Sequence, residues 1–155
     1  MLMKQINKKG VTLIEVVVVM VIIAIGDVLL IHNFGTWLPN YRLRSATRDV
    51  VSTMRTAQMK AVSTNTQYQV LFTIPAPPDP ASFIIQYQDT GGNWVNDGAT
   101  QTLPAGILLS TTFGGNNAVF NPNSTSSAGS VTLQNTKGAQ RKITLTSTTG
   151  RAKIE

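Results

Sequence analysis

The chain opens on a short polar stretch, MLMKQINKKG, and then turns apolar. Val16 to Ile25 are ten unbroken apolar residues, and the wider stretch Leu13–Ile31, 19 residues long, is interrupted only by Glu15, Gly26 and Asp27. That length is close to the ~20 residues a helix needs to span hydrocarbon. After Asn40 the pattern narrows to one stripe. Leu43, Thr47, Val50, Met54, Ala57 and Ala61 recur at a spacing of three and four, while Arg44, Arg48, Arg55 and Lys60 fall mainly off it. The pattern predicts one helix from about Val11 to about Ser63, roughly 80 Å at 1.5 Å per residue. Its first half is apolar on all sides; its second half is amphipathic and should pack on a sheet. Gly26, Gly35 and Pro39 are the expected bends.

From Gln67 the period shortens to that of strands. Gln67–Ile74 and Ser82–Gln88 flank the proline-rich loop PAPPDPA at 75–81, which ends their pairing. Asp89–Asn93 is a turn before Trp94, and Gly114–Asn117 is another, between strands at Ile107–Phe113 and Ala118–Phe120. Residues 121–130, NPNSTSSAGS, read as a polar flexible loop. Val131–Gln134 and Lys142–Ser147 bracket Asn135–Gln140 as a hairpin, and a last turn at 148–150 precedes Arg151–Glu155. The sum is an α+β chain: a long N-terminal helix, then an antiparallel β domain packed on its second half.

Composition narrows the chemistry. There is no cysteine, which removes disulfides, thiol nucleophiles and cysteine zinc sites. His32 is the single histidine, which removes histidine-cluster metal sites and Ser-His-Asp catalysis. Asp89 and Asp97 flank a Gly/Asn loop, but a calcium site needs more oxygen ligands, so the loop reads as an ordinary turn. Gly91-Gly92 and Gly114-Gly115 match no phosphate-binding pattern. The reading is therefore not an enzyme, with no cofactor and no metal. The formal charge is +6; without Lys4, Lys8 and Lys9, ten Lys+Arg face seven Asp+Glu, leaving +3. That is a mildly basic domain rather than a polycation.

Basic residues ahead of the apolar run place 1–10 in the cytoplasm and the remainder outside. No convincing small-residue cleavage site follows that run, so it is not an ordinary secretory signal. Glu15 is the informative residue, because a carboxylate inside a membrane helix costs roughly 2.5–3.5 kcal/mol or more. Either it sits near the interface and snorkels, or it meets a cation. Cutting after Gly10 would make Val11 an N-terminus, with a new α-amino group about one helical turn from Glu15. Asp27 and His32, spaced i, i+5, make a poor pair and read as outer-headgroup residues.

The segment KKGVTLIEVVVVMVIIAI resembles the class III signal of type IV pilins and pseudopilins, through Gly10, Thr12, Leu13, Ile14 and Glu15 ahead of the apolar run. The resemblance implies cleavage after Gly10 and N-methylation of Val11 by a prepilin peptidase, though phenylalanine is usual at Val11. It also implies that Glu15 pairs with the N-terminal amine of a neighbouring subunit during assembly. His32 stands where the family usually has proline, in Ile31-His32-Asn33-Phe34. A second resemblance, to the GspH/FimT branch, rests on Phe120-Asn121-Pro122, Gly129–Leu133, Ser147–Arg151 and the helix segment TWLPNYRLRSATRDVVSTMRTAQMKAV.

Together these imply a pilin-like fold divided as a leader at 1–10, a transmembrane or filament-core half-helix at 11–32, an amphipathic half-helix at 33–64 and a β domain at 65–155. The implied function is that of a minor pseudopilin or minor pilin, at or near the tip of a type II secretion pseudopilus or a type IV pilus. Its partners would be the prepilin peptidase, other pilins or pseudopilins, and the bacterial inner membrane, with the C-terminal domain in the periplasm. A DNA-uptake role is the alternative. FimT-like members carry a closing Gly-Arg-x-Arg motif, and here Gly150-Arg151-Ala152-Lys153 keeps the charge but loses the second guanidinium. Arg151 and Lys153, with Arg141 and Lys142, either contact DNA phosphates or are a solvated edge protected by charge.

Overall fold

The computed structural model describes residues 10–155, with the side chains of 27–36 set outside that description. Lys4, Lys8 and Lys9, and the side chains of Asp27 and His32, therefore lie outside the described residues, as does the bend expected at Gly35. A single α-helix, α1, covers Leu13–Thr64 and is continuous across Gly26 and Pro39. It begins two residues later than the sequence pattern implies, because Thr12 caps it: the Thr12 carbonyl accepts from Glu15 N–H at 3.1 Å and Val16 N–H at 3.3 Å. It ends where Asn65 turns left-handed at φ 52° and Thr66 N–H donates back to the Ala61 carbonyl at 3.3 Å. That six-to-one bond satisfies a carbonyl the last turn would otherwise leave open. The chain divides into two compact units between Trp37 and Leu38.

In the second unit the helical stripe is the buried face. Leu43, Ala46, Thr47, Val50, Met54, Ala57 and Ala61 are all buried, and the three alanines are fully so. Small residues at these positions let the sheets approach the helix backbone closely. The strands are β1 (Tyr68–Thr73), β2 (Ser82–Gln88), β3 (Trp94–Asn96), β4 (Gln101–Thr102), β5 (Ile107–Thr111), β6 (Asn117–Phe120), β7 (Gly129–Asn135), β8 (Gln140–Thr146) and β9 (Arg151–Ile154). A single 3-10 turn, Gly114–Asn116, leads into β6.

They form two antiparallel sheets rather than one. The first runs β3-β2-β1-β6 with β4 also on β2; the second runs β5-β7-β8-β9. Period-two alternation sends Val70, Phe72, Phe83 and Phe120 from the first sheet into the core, and Leu109, Val131, Leu133, Ile143 and Leu145 from the second. The aromatic pairs are direct cross-strand partners: Tyr68 opposite Tyr87 with ring centres 6.1 Å apart, and Phe72 opposite Phe83 at 6.3 Å.

On the other face of the first sheet four amides link side by side. Asn117 donates to Gln69 at 2.8 Å, Gln69 to Gln86 at 2.7 Å, and Gln86 to Asn96 at 2.8 Å. Gln69 is only 3% exposed, and this chain is what makes burying its amide tolerable.

Residues 121–128 depart from the sequence reading of a flexible loop. Ser126 N–H donates to Ser147 O at 2.8 Å and its hydroxyl to Thr146 O at 3.2 Å, while Ser127 N–H donates to Val119 O at 2.9 Å. The segment thus stitches one sheet to the other. Beyond an isolated antiparallel bridge between Phe120 and Ser126, its short polar side chains supply further bonds: Asn121 donates to Thr125 Oγ1 and Asn123 accepts from Thr125. The helix is tied to the sheet loops by Asn135 donating to Asn40 at 2.9 Å, Arg42 donating to Ala105 O at 3.2 Å and Gln58 donating to Thr149 O at 2.8 Å.

Candidate functional site

Two regions carry the residues that the sequence singles out. The first is the start of α1. Thr12 and Glu15 stand in the S/T-x-x-E spacing of a capping box, a signal for the helix start that the apolar pattern alone conceals. Thr12 Oγ1 accepts from Glu15 N–H at 3.4 Å. Glu15 therefore sits in the first turn, where a carboxylate is favoured by the unpaired N–H groups of the helix end.

Gly10 has no steric reason to be glycine, since a Cβ there would meet nothing within 4 Å. Val11 is 72% exposed, and the large apolar side chains from Leu13 to Ile25 are all exposed around the helix. Glu15 is the single charge between Val11 and Gly26. A helix apolar on every side is stable only when other molecules cover it. Among the described residues no helical stretch is long and apolar enough to cross a membrane. The apolar run read from the sequence continues to Ile31, beyond the described side chains.

The second region is the β8–β9 edge. The register places Thr144 opposite Lys153 and Thr146 opposite Arg151. Ile143, Leu145 and Ala152 point into the core, so Lys142, Arg151 and Lys153 share the outer face with Thr144 and Thr146. Arg141 does not join them. One residue from Lys142 on the same strand, it points to the helix side and lines a depression with Arg44, Thr47, Arg48 and Ile154. Four cations grouped by sequence are thus split between two faces, and two helix arginines, spaced four apart, join one of them. Glu155 belongs to the outer edge: it exchanges backbone bonds with Lys142, and its Oε2 accepts from Thr144 Oγ1 at 3.2 Å.

The aspartates flanking residues 90–96 have separate partners. Asp97 pairs with Lys60 at 2.8 Å, holding the β3–β4 loop to α1. Asp89 Oδ1 accepts from the N–H groups of Gly91 at 2.9 Å and Asn93 at 2.8 Å. These bonds, Asn93 N–H foremost, hold its carboxyl below the ordinary Asp value. Among the described residues no three acidic or histidine side chains come together as metal ligands.

A two-sheet domain built on one helix, whose start from Leu13 to Ile25 is exposed and apolar, is the pilin-like architecture. Residues 46–149 match the family model described as type II transport protein GspH, and residues 6–26 match the prokaryotic N-terminal methylation motif. The chain belongs to the GspH family. Its fold is similar to that of the minor pseudopilin EpsH from the type 2 secretion system of Vibrio cholerae, at TM-score 0.59 and 9% identity, over 74% of this chain and 96% of that one. It is equally similar to that of the type IV minor pilin FimU from Pseudomonas aeruginosa PAO1, at TM-score 0.58 and 17% identity, over 75% and 90%. At these identities the likeness is one of fold. No protein of curated function matches the chain in sequence.

Proposed function

We propose that the chain is a minor pseudopilin or minor pilin, made as a precursor, cut after Gly10 and N-methylated on Val11 by a prepilin peptidase. Residues 1–10 are then the leader, 11–32 the transmembrane and filament-core half-helix, 33–64 the amphipathic half-helix and 65–155 the β domain. The processed subunit is held in the inner membrane with its C-terminal domain in the periplasm. From there it joins a type II secretion pseudopilus or type IV pilus at or near the tip. Its role is structural, and its partners are neighbouring subunits through the N-terminal helix.

The observation that carries this reading is the exposed, wholly apolar start of α1 with one carboxylate, Glu15, five residues past a glycine that packing does not require. Burying Glu15 among apolar helices is costly unless a cation meets it, and the amine of a neighbour's Val11 supplies one. Intact-mass measurement of membrane-extracted protein tests the processing step. The native chain should have lost residues 1–10 and gained a methyl group, and Gly10→Ala should stay at precursor mass. Glu15→Val should be processed and yet be absent from sheared filaments. A Gly10→Ala chain at mature mass would overturn the cleavage assignment; a Glu15→Val chain found in filaments at native level would overturn the pairing.

A second reading, DNA capture, draws on Lys142, Arg151 and Lys153 sharing one exposed face. Its signature is binding of short duplex DNA that weakens with salt and is lost in Arg151→Ala/Lys153→Ala. Arg141 has no part in that reading, since it faces the helix side.

A further inference from the structure

The depression on the helix side of β8, about 280 Å³ in volume, is lined by Arg44, Thr47, Arg48, Arg141 and Ile154. Arg44 and Arg48 are four residues apart on α1, so they project along one side of it. Arg141 is half-buried and enters from the strand. Among the described residues no guanidinium of the three has a hydrogen bond or an ion pair. No carboxylate lines the depression. Asp49 follows Arg48 and so points about 100° around the helix from it. Glu155 is engaged on the outer edge with Thr144.

Three like charges around one concavity repel one another, and the arrangement is relieved when an anion enters. The residue types say which anion. All three cations here are arginines, whereas the outer face of the same strands mixes Lys142 and Lys153 with the single arginine Arg151. Arginine's planar fork grips a carboxylate or phosphate through paired bonds, which lysine cannot do. The walls are partly apolar: Ile154 is 41% exposed there. The Thr47 hydroxyl donates its proton to Leu43 O at 2.7 Å, so that proton is committed to the helix backbone. A Glu side chain, with a CH₂ stem against Ile154 and a carboxylate among the forks, uses both features. A bare inorganic anion leaves the apolar wall idle, and a duplex backbone is better served by the outer face.

We propose that the Arg44–Arg48–Arg141 depression is a docking site for an acidic protein segment, presented by a neighbouring subunit of the assembly. The identity of the partner rests on the filament-subunit reading; the carboxylate chemistry does not.

The test uses full-length protein in detergent micelles and a labelled Glu-Gly-Ser peptide, followed by fluorescence anisotropy at low and near-physiological salt. The peptide should bind, and its Gln counterpart should not. Arg141→Gln should weaken binding about tenfold, the loss of one charge-assisted fork; Arg141→Lys should restore only part of it. Arg44→Gln/Arg48→Gln should weaken it further, and Lys142→Gln/Lys153→Gln should leave it unchanged. Equal loss in the outer-face pair would overturn the proposal in favour of a general positive field. Displacement by inorganic phosphate at matching concentration would reduce the site to a free-anion site. Displacement by duplex DNA that needs the same three arginines would make it a nucleic-acid site. Mature mass is measured on every variant. Peptide binding by a chain that stays at precursor mass would count against the filament reading and leave the docking chemistry standing; mature chains that bind no peptide would do the reverse.

Discussion

At the scale of single residues, two glycines show how tightly the C-terminal half is assembled. A Cβ at Gly129 would lie 2.4 Å from Phe113 Cδ1 and 2.5 Å from its Cε1. Phe113 is itself buried, so its ring has nowhere to retreat. Gly150 combines a left-handed φ of 60° with a Cβ position 2.8 Å from the Ser124 carbonyl. Both glycines fall in the segments that carry the GspH/FimT resemblance, and packing explains each. Gly10 is the contrast, with open space around it. Gly129→Ala should therefore destabilise the protein by about 1–3 kcal/mol, the usual cost of overpacking, read from urea unfolding. Phe113→Leu, costly alone, should cost less in the Gly129→Ala background, because the two share one space. Additive losses would show that the clash is not the cause.

At the scale of elements, what was legible followed from periodicity. The stripe from Leu43 to Ala61 announced the centre of the buried helix face, and the structure widens that face to take in Ala46, Val51 and Thr53. Strands of five to seven residues with alternating burial were likewise readable, as in β8, where Ile143 and Leu145 alternate with polar neighbours. β3 and β4, three and two residues long, are too short to carry a period, and only pairing with β2 defines them. The split into two sheets is set by long-range register, which no local pattern contains. The same limit hid the site on the helix side of β8. Arg44 and Arg48 look like solvated helix residues until Arg141 is folded against them, and adjacency in sequence made Arg141 look like a partner of Lys142. The β2–β3 hairpin offers a measurable case. Asp89 accepts the N–H groups of Gly91 and Asn93 in its turn, and its carboxyl is held below the ordinary Asp value, chiefly by Asn93 N–H. The ionised form organises the turn, so the stabilisation is fully present above about pH 4, the unfolded value, and is lost as pH falls through the lowered one. The Gly91 and Asn93 amide resonances should hold down to about pH 4 and shift only below it, whereas Asp89→Asn should remove that titration. A midpoint at or above the ordinary Asp value would contradict the assignment.

At the scale of the whole molecule, the two units meet opposite demands. The apolar residues from Val11 to Ile25 belong to no core of this chain, whereas the buried stripe begins at Leu43 and joins all the buried apolar strand residues but Ile84 in one cluster. The ties from Asn40 to Asn135 and from Arg42 to Ala105 close the front of that cluster. Among the described residues, the core and its ties to α1 therefore lie from Leu38 onward, where the second unit starts. Residues 38–155 alone should be soluble without detergent, disperse their amide resonances and unfold in urea as one cooperative transition. A second fragment starting at Arg48 tests whether the front of the stripe matters. It lacks Leu43, Ala46 and Thr47 with both ties, and burial of Leu43 alone is worth roughly 2–5 kcal/mol by the usual cost of emptying a leucine site. Its transition should move to clearly lower urea, with an unfolding free energy reduced by at least that amount. If instead 38–155 bound hydrophobic dye and lost its near-ultraviolet dichroism, as a chain with collapsed but unpacked sheets would, the apolar front half would be part of the folding unit. Its exposure would then not be a surface kept for neighbouring subunits, and the structural reading of the helix would need to be rebuilt from that result.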